Sequence, residues 1–334
     1  MPQPHVLVVG GGSIGERHVR CFLKTNECDV SVCEMDAAKR DKLAKTYAVK
    51  QAYPDFDKVP LDRFQVVVVA CPAPFHMPQS LAAARAGCHV LCEKPLSDKP
   101  EGIQELIDTV RAKKLVAATA FTMRSVSAIR RLKQVIDEGT IGTARLAVSN
   151  ISQFFPHIRP DYQRIYFAKK AMGGGCLFDM CPHTINMMEW FLGPETAISC
   201  LTDRLALEGI ETDDTTIINT RHRSGAFSQI NCTMIAYHYR YDVSIHGTKG
   251  SVVYDYVKGE VATYTQPEPP AGKARIEKFP TERDELYIEQ ARHFLAATRG
   301  EKPVACTLEE GWQTLRAVFA ARRSVESGQA ETVK

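Results

Sequence analysis

The stretch His5-Val6-Leu7-Val8-Val9-Gly10-Gly11-Gly12-Ser13-Ile14-Gly15 decides how the rest of the chain is read. A short apolar run ending in glycine suits a strand buried on both faces of a parallel sheet. Ile14 to Leu23 then reads as a helix. Gly10, Gly12 and Gly15, with Ser13 and Ile14 between the last two, fit G-x-G-x-x-G between strand and helix. The early glycines permit a tight turn and close approach of a pyrophosphate, and the last lets the helix pack on the strand. The helix N-terminus offers the anion its free N–H groups. A second strand, DVSVCE, ends at Glu34, 19 residues beyond Gly15. A carboxylate there accepts hydrogen bonds from the adenosine ribose hydroxyls and repels a ribose phosphate. Met35 and Asp36 follow it, with no arginine, so the pattern favours NAD over NADP.

Outward from this loop the alternation continues. Gln65 to Cys71 is a β-branched strand, Pro78 to Ala86 a helix capped by Gly87, and CHVLCE another strand. A helix with Ile103, Leu106, Ile107 and Val110 on one face, and Pro100 and Glu101 near its start, leads to a strand over Leu115–Phe121. Such alternation implies a doubly wound parallel sheet. From Val126 the rhythm changes: a helix ending at Gly139, a strand over Ala144–Phe154, an irregular stretch, a glycine run and a helix. Between Ala197 and Tyr264, strand-like runs are separated by turns at Ser224-Gly225, Gly247–Gly250 and Lys258-Gly259, the pattern of a largely antiparallel sheet. Pro267 to Lys278 reads as a surface loop, and two final helices open on capping boxes, Thr281 with Asp284 and Thr307 with Glu310. The expected fold class is α/β. A Rossmann-type, doubly wound parallel sheet occupies residues 1–124, and an α+β domain with a large, mostly antiparallel open sheet occupies 125–334. An apolar sheet face left in water is costly, so a homodimer or homotetramer through that sheet is expected.

A chain of 334 residues is comfortable for two domains, and 44% hydrophobic with 24% charged residues is ordinary globular composition. A net charge of +3 argues against nucleic acid as the main partner, and no apolar run is long enough to span a bilayer. The N-terminus passes straight into a strand without the pattern of a signal peptide, so a cytosolic protein is expected. Eleven cysteines with no C-x-x-C spacing read as buried, reduced thiols, with no metal site.

Two further segments carry chemistry. Glu93-Lys94-Pro95 stands at the end of a strand, and ligands of open α/β sheets sit at the carboxyl ends of strands. A lysine there reaches a reacting oxygen; a surface lysine in a turn is the plainer alternative. In GGGCLFDMCPHTINMMEW, Asp179 and His183 are four apart and share a face on a helix, so the acid orients the imidazole, and Asn186 extends that face. Histidine suits exchange of an alcohol proton. The alternative is a partly buried histidine with structural hydrogen bonds. FFPHIRPDYQRIYFAKK, residues 154–170, mixes aromatic and cationic side chains. Arg159, Tyr162 and Arg164 could meet an anionic sugar there, or the segment could be a surface excursion or an oligomer contact.

The chain resembles the Gfo/Idh/MocA family, named for glucose–fructose oxidoreductase and inositol dehydrogenase. The glycine loop, ACPAPFH, AGCHVLCEKPLS, DEGTIG, GGGCLFDMCPH, IHGTKGSVVYD and the closing helix pair carry the likeness. The resemblance implies Lys94 as catalytic lysine, His183 as acid/base and Asp179 as its partner. It places Cys71, Pro72, His76, Glu93 and Lys94 beside the cofactor, Arg124 over the substrate, and a cis bond at Lys94-Pro95. The implied reaction is hydride transfer between NAD and a hydroxyl-bearing carbon of a sugar, sugar acid, nucleotide sugar or cyclitol. An NAD-dependent glycosidase and a non-catalytic NAD-sensing regulator are the competing readings; retention of Lys94, Asp179 and His183 speaks against the regulator. The chain departs from the family pattern at Cys71 and Ala73, where Thr and Asn are usual, and at Asn186, where Asp is frequent.

Overall fold

The computed structural model describes residues 3–266, 274–280 and 282–334. The chain forms two compact units, Met1–Ser125 with Glu282–Trp312 and Val126–Thr281 with Gln313–Lys334.

In the first unit the elements run β1 (His5–Val9), α1 (Ser13–Thr25), β2 (Asp29–Cys33), α2 (Ala37–Thr46), β3 (Ala52–Tyr53), β4 (Val66–Val69), α3 (His76–Arg85), β5 (His89–Cys92), α4 (Ile103–Ala112) and β6 (Ala117–Thr119). Among the described residues they make a six-stranded sheet in the order β3-β2-β1-β4-β5-β6, with every pairing parallel. The order reverses between β1 and β4, where doubly wound sheets bind ligands. Register fixes what stands at that edge. Val9 lies opposite both Cys33 and Val69, and Val69 opposite Cys92, so Gly10, Glu34, Ala70 and Glu93 follow on one line. Val66 to Val69 are all fully buried, which is why β4 shows no alternation. The face of α1 bearing Val19 and Phe22 packs with Val6, Val8 and Leu91, and also with Phe294 and Leu295 of a helix near the end of the chain. That helix, α8 once the second unit's elements are counted, spans Arg283–Thr298. Each such apolar side chain contributes roughly 1.5–3 kcal/mol on burial, enough to join 282–312 to a unit almost all of which precedes residue 126.

The second unit runs α5 (Ser127–Asp137), β7 (Ala144–Phe154), α6 (Phe155–Ile158), α7 (Cys181–Leu192), β8 (Glu195–Asp203), β9 (Thr215–His222), β10 (Phe227–Thr233), β11 (Ile235–Gly247), β12 (Ser251–Asp255), β13 (Glu260–Tyr264) and β14 (Arg275–Lys278). It ends with most of α9 (Leu308–Ser327) and β15 (Glu331–Thr332). Among the described residues the sheet has nine strands in the order β14-β13-β12-β11-β7-β10-β9-β8-β15. It is antiparallel except for β7 beside β10, which makes it mixed. Helices α5 and α7 pack on it.

The predicted strand over Ala144–Phe154 and the turns at 224–225, 247–250 and 258–259 stand where the sequence places them. The loop reading of 267–278 needs correction: Arg275–Lys278 pairs with β13, while 267–273 lie outside the described residues. The capping box at Thr307 forms, with reciprocal bonds to Glu310 of 2.8 and 3.1 Å. Thr281, the other expected cap, lies outside the described residues. The eleven cysteines are free thiols, and all but Cys71 are buried. Among the described residues no helix is long and apolar enough to cross a membrane.

Candidate active site

Gly10 turns the chain at the end of β1 with φ of +98°, and a Cβ there would strike the Ala70 and Cys71 backbone of β4's extension. Gly15 approaches the Gly10 carbonyl so closely that a Cβ would collide with it. Gly12 faces open space and is the N-cap of α1, with no capping side chain on the helix. These are the properties of a pyrophosphate cradle: backbone pulled close at two points, and a helix N-terminus left clear at the third. Glu34 is set against the loop, Oε2 accepting from Gly11 N and Oε1 from Asp36 N at 2.8 Å. Beside Gly11–Ser13 lies a hollow of about 390 Å³ rimmed by Arg17, Arg20, Lys39 and Lys42. Asp284 offsets the two arginines, and Glu16 offsets Lys42. The residues present therefore fit an extended dinucleotide.

The neighbouring strand ends are tied together by His76. It is 2% exposed, with Nδ1 at 2.7 Å from the Pro95 carbonyl and Nε2 at 2.8 Å from that of Cys71. Burial pulls this imidazole below its ordinary value, against the two carbonyls, which pull it up. The neutral ring has a single N–H and donates to one of the two carbonyls, so this His76 staple holds Cys71-Pro72, after β4, beside the Lys94-Pro95 turn by one hydrogen bond and close packing; the Lys94-Pro95 peptide bond is cis. Beneath the turn, Glu93 joins His18 of α1 at 2.7 Å and accepts the Lys94 N–H at 3.1 Å. Both side chains are buried, so the base of Lys94 rests on a fixed polar pair. Cys71 donates to Gln79 at 2.9 Å, and burial pushes its thiol up to about 12, which leaves it neutral. Arg124 is 5% exposed, and its Nη1 donates to the Ala305 carbonyl at 2.9 Å and to Glu310 at 2.7 Å.

In the second unit, Asp179 stands in a five-residue π-turn, Cys176–Met180, which runs into α7 and its residue His183. The expected regular helix through both residues begins two positions after the acid. The preceding glycines explain the turn. Gly173 and Gly175 have φ of +71° and +90°. A Cβ on Gly175 would strike the Asp213 carboxylate, and one on Gly174 the carbonyls of Tyr166 and Phe167. Three stretches thus lie against one another: 166–168, 173–177 and 211–214. Asp213 binds the turn through its carbonyl, 3.1 Å from Cys176 N, and through Oδ2, 2.8 Å from Leu177 N. Burial holds the Asp213 carboxyl above its usual range. Thr212 Oγ1 donates to the Phe167 carbonyl at 2.7 Å, and Glu211 N to that of Ala168 at 2.9 Å. The side chain of Asp179, 8% exposed, accepts from the Tyr166 phenol at 2.7 Å. Asn186, 1% exposed, donates to Thr314 of α9 at 3.0 Å.

Comparison with known proteins adds to this geometry. Residues 5–121 match the profile of the oxidoreductase family with NAD-binding Rossmann fold, and 129–253 match the GFO/IDH/MocA C-terminal domain. The chain belongs to the Gfo/Idh/MocA family. It is an NAD(P)-dependent oxidoreductase by that membership. Myo-inositol 2-dehydrogenase of Thermotoga maritima is 25% identical over 328 residues, 96% of this chain and 95% of that enzyme. Levoglucosan dehydrogenase of Pseudarthrobacter phenanthrenivorans is 26% identical over 290 residues, 77% of this chain and 74% of that one. A levoglucosan dehydrogenase solved in complex with NADH superposes with a TM-score of 0.91 at 22% identity, covering all of both chains.

Within this Gfo/Idh/MocA chain, three residues that organise the site escape a reading of motifs. His18, Asp213 and Tyr166 each act on a motif from elsewhere in the sequence. Only Asp213 offered a signal, as a pair of acids (Asp213-Asp214) before a strand. Tyr166 lies in the aromatic excursion but is not one of the three residues, Arg159, Tyr162 and Arg164, singled out there. Tyr162 of that excursion donates its hydroxyl to the Glu208 carbonyl at 3.1 Å, and Arg164 is exposed.

Proposed function

We propose that the protein is an NAD-dependent dehydrogenase acting on one hydroxyl-bearing carbon of a cyclic polyol: a sugar, sugar acid, nucleotide sugar or cyclitol. The observation that carries the reading is Lys94, held at the carboxyl end of β5 by the Glu93–His18 pair and the His76 staple, beside a glycine cradle built for a dinucleotide. The inositol and levoglucosan dehydrogenases among its relatives support the substrate class.

When bound, the nicotinamide takes or returns the hydride. The Lys94 ammonium stabilises the alkoxide that develops as His183 takes the hydroxyl proton, with Asp179 orienting its ring, and that charge is spent in forming the carbonyl as hydride leaves the carbon. Gly10, Gly12, Ser13, Ile14 and Gly15 hold the pyrophosphate, and Cys71, Pro72, His76 and Glu93 shape the nicotinamide end. Arg159, Tyr162 and Arg164 complete the substrate contacts, and Asn186 and Arg124, both buried and hydrogen-bonded within the chain, act from behind them. Residues 1–124 carry the cofactor, and 125–334, apart from the segment 282–312 that packs in the first unit, carry substrate recognition and subunit pairing. The outer sheet face bearing Leu146, Leu201, Ile217 and Phe227, all exposed, is the surface proposed to pair.

Glu34 supports NAD, because a 2′-phosphate would meet its carboxylate. Fluorescence titration is expected to give tighter binding of NADH than of NADPH, with Glu34→Ser narrowing the gap roughly tenfold. Tighter NADPH binding by the native protein would refute the cofactor assignment. His183→Asn is expected to lower turnover by roughly 10²–10⁴-fold while NADH binding stays within a few-fold. Unchanged turnover in that variant would remove His183 from the chemistry.

A further inference from the structure

We propose that Tyr166 is a positioning residue for the reaction, fixing the carboxylate of Asp179 so that it meets His183 in one orientation. The proposal rests on the dehydrogenase reading for its consequence, and on separate geometry for its cause. Asp179 lies in the π-turn Cys176–Met180, outside the regular hydrogen-bonding of α7, so the helix alone does not set its rotamer. Its Oδ1 accepts from the Tyr166 phenol at 2.7 Å. The phenol is itself well placed to act as a support. The carbonyls of Tyr166 and Phe167 rest on Gly174, where no side chain larger than hydrogen fits, and Thr212 pins the Phe167 carbonyl at 2.7 Å. Phe167 is fully buried against Phe155, ring centroids 4.5 Å apart. The tyrosine backbone is therefore anchored on three sides, while the residue as a whole is 46% exposed and its hydroxyl reaches the carboxylate of Asp179, a residue only 8% exposed. On this account the second glycine of the Gly-Gly-Gly run serves catalysis at one remove: it admits the short helical turn Tyr166–Ala168 that brings the phenol to the acid. A hydrogen bond to an ionised acceptor is among the stronger ones and restricts the carboxylate to one geometry.

The test is a double-mutant cycle of Tyr166→Phe and Asp179→Ala, read in two ways on the full chain. In turnover with a polyol that reduces NAD, Tyr166→Phe should lower kcat about tenfold with KM within about twofold. The same substitution should have no further effect in the Asp179→Ala background, which has no acceptor for the phenol. In thermal melts, Tyr166→Phe should lower the melting temperature of the native protein and leave that of Asp179→Ala unchanged. Full additivity in the melts overturns the link between the two side chains. Coupled melts with an unaltered kcat overturn the positioning role and leave a merely structural bond. Failure of every polyol to reduce NAD with the native protein would instead sink the dehydrogenase reading, and the melts would then decide the Tyr166–Asp179 link by themselves. NADH binding, expected to be the same in all four proteins, guards against misfolding.

Discussion

The glycine loop at Gly10–Gly15 and the glycine run at Gly173–Gly175 use the same residue for opposite purposes. In the first, Gly12 keeps a space clear, with nothing near it, while Gly10, Gly11 and Gly15 let the loop close on Ala70-Cys71, Glu34, Leu43 and its own turn. In the second, the glycines fill one. Gly174 and Gly175 bring two other stretches, 166–168 and 211–214, into contact with the chain. A motif that makes room for a ligand is complete in itself, and its meaning is visible in order. A motif that makes room for other parts of the protein has a meaning that depends on what arrives there.

Gly10→Ala and Gly174→Ala break this comparison most sharply. Gly10→Ala adds a methyl group against the Ala70 backbone at φ of +98°. It should weaken NADH binding by at least about tenfold, given a strain cost of roughly 1–3 kcal/mol at such a position. Gly174→Ala should leave NADH binding within about twofold yet lower kcat by about tenfold or more, because it displaces Tyr166 and with it Asp179. Equal effects of the two changes on NADH binding would mean that the two glycine segments do not differ as described.

A smaller effect sharpens the account of the first unit. Arg20 donates to both carboxylate oxygens of Asp284 at 2.7 Å, tying α1 to α8. The Asp284 carboxyl is held below its usual range first by the hydrogen bond from Arg20, and further by the charges of Arg20, Arg17 and Lys24. A carboxyl whose folded pKa is depressed contributes stability above its unfolded pKa and loses it as pH falls through the folded one. Asp284→Asn should therefore cost about 1 kcal/mol near pH 7, a few degrees in Tm, for a pair that is partly exposed. The gap to the native protein should narrow below about pH 4 and close in stronger acid. A gap independent of pH would show that the charge of Asp284 is not what holds the helices.

The same contrast explains what was legible. The continuous apolar runs of β1, β4 and β5 and the glycine loop announce a parallel sheet because strand burial and loop chemistry are local. Helix α2, with only Leu43 buried, and the two-residue β3 carry too little periodicity to be seen. The parallel pairing of β7 with β10 leaves no trace in either strand's alternation, since direction depends on the route between them. Arg275–Lys278 looked like loop because it is an edge strand of mostly exposed residues next to a Pro-rich stretch. The spacing of Asp179 and His183 suggests one regular helix, yet Asp179 stands in the π-turn before it, which Asp213 and the glycines hold. Tyr166, thirteen residues before Asp179, becomes its partner only once 166–168 has folded onto Gly174.

The central claim is that Lys94 serves hydride transfer between NAD and a polyol. Absorbance of NADH, followed with NAD and a panel of sugars, sugar acids, inositols and nucleotide sugars, tests it most directly, with Lys94→Ala run beside the native protein. A substrate-dependent rise is expected with at least one compound, and a fall of roughly 10²-fold or more in the variant, with NADH still bound. NAD binding with no net reduction by any compound, or a rise that survives Lys94→Ala undiminished, would contradict it; release of a sugar from a glycoside without net NADH would point to transient oxidation instead.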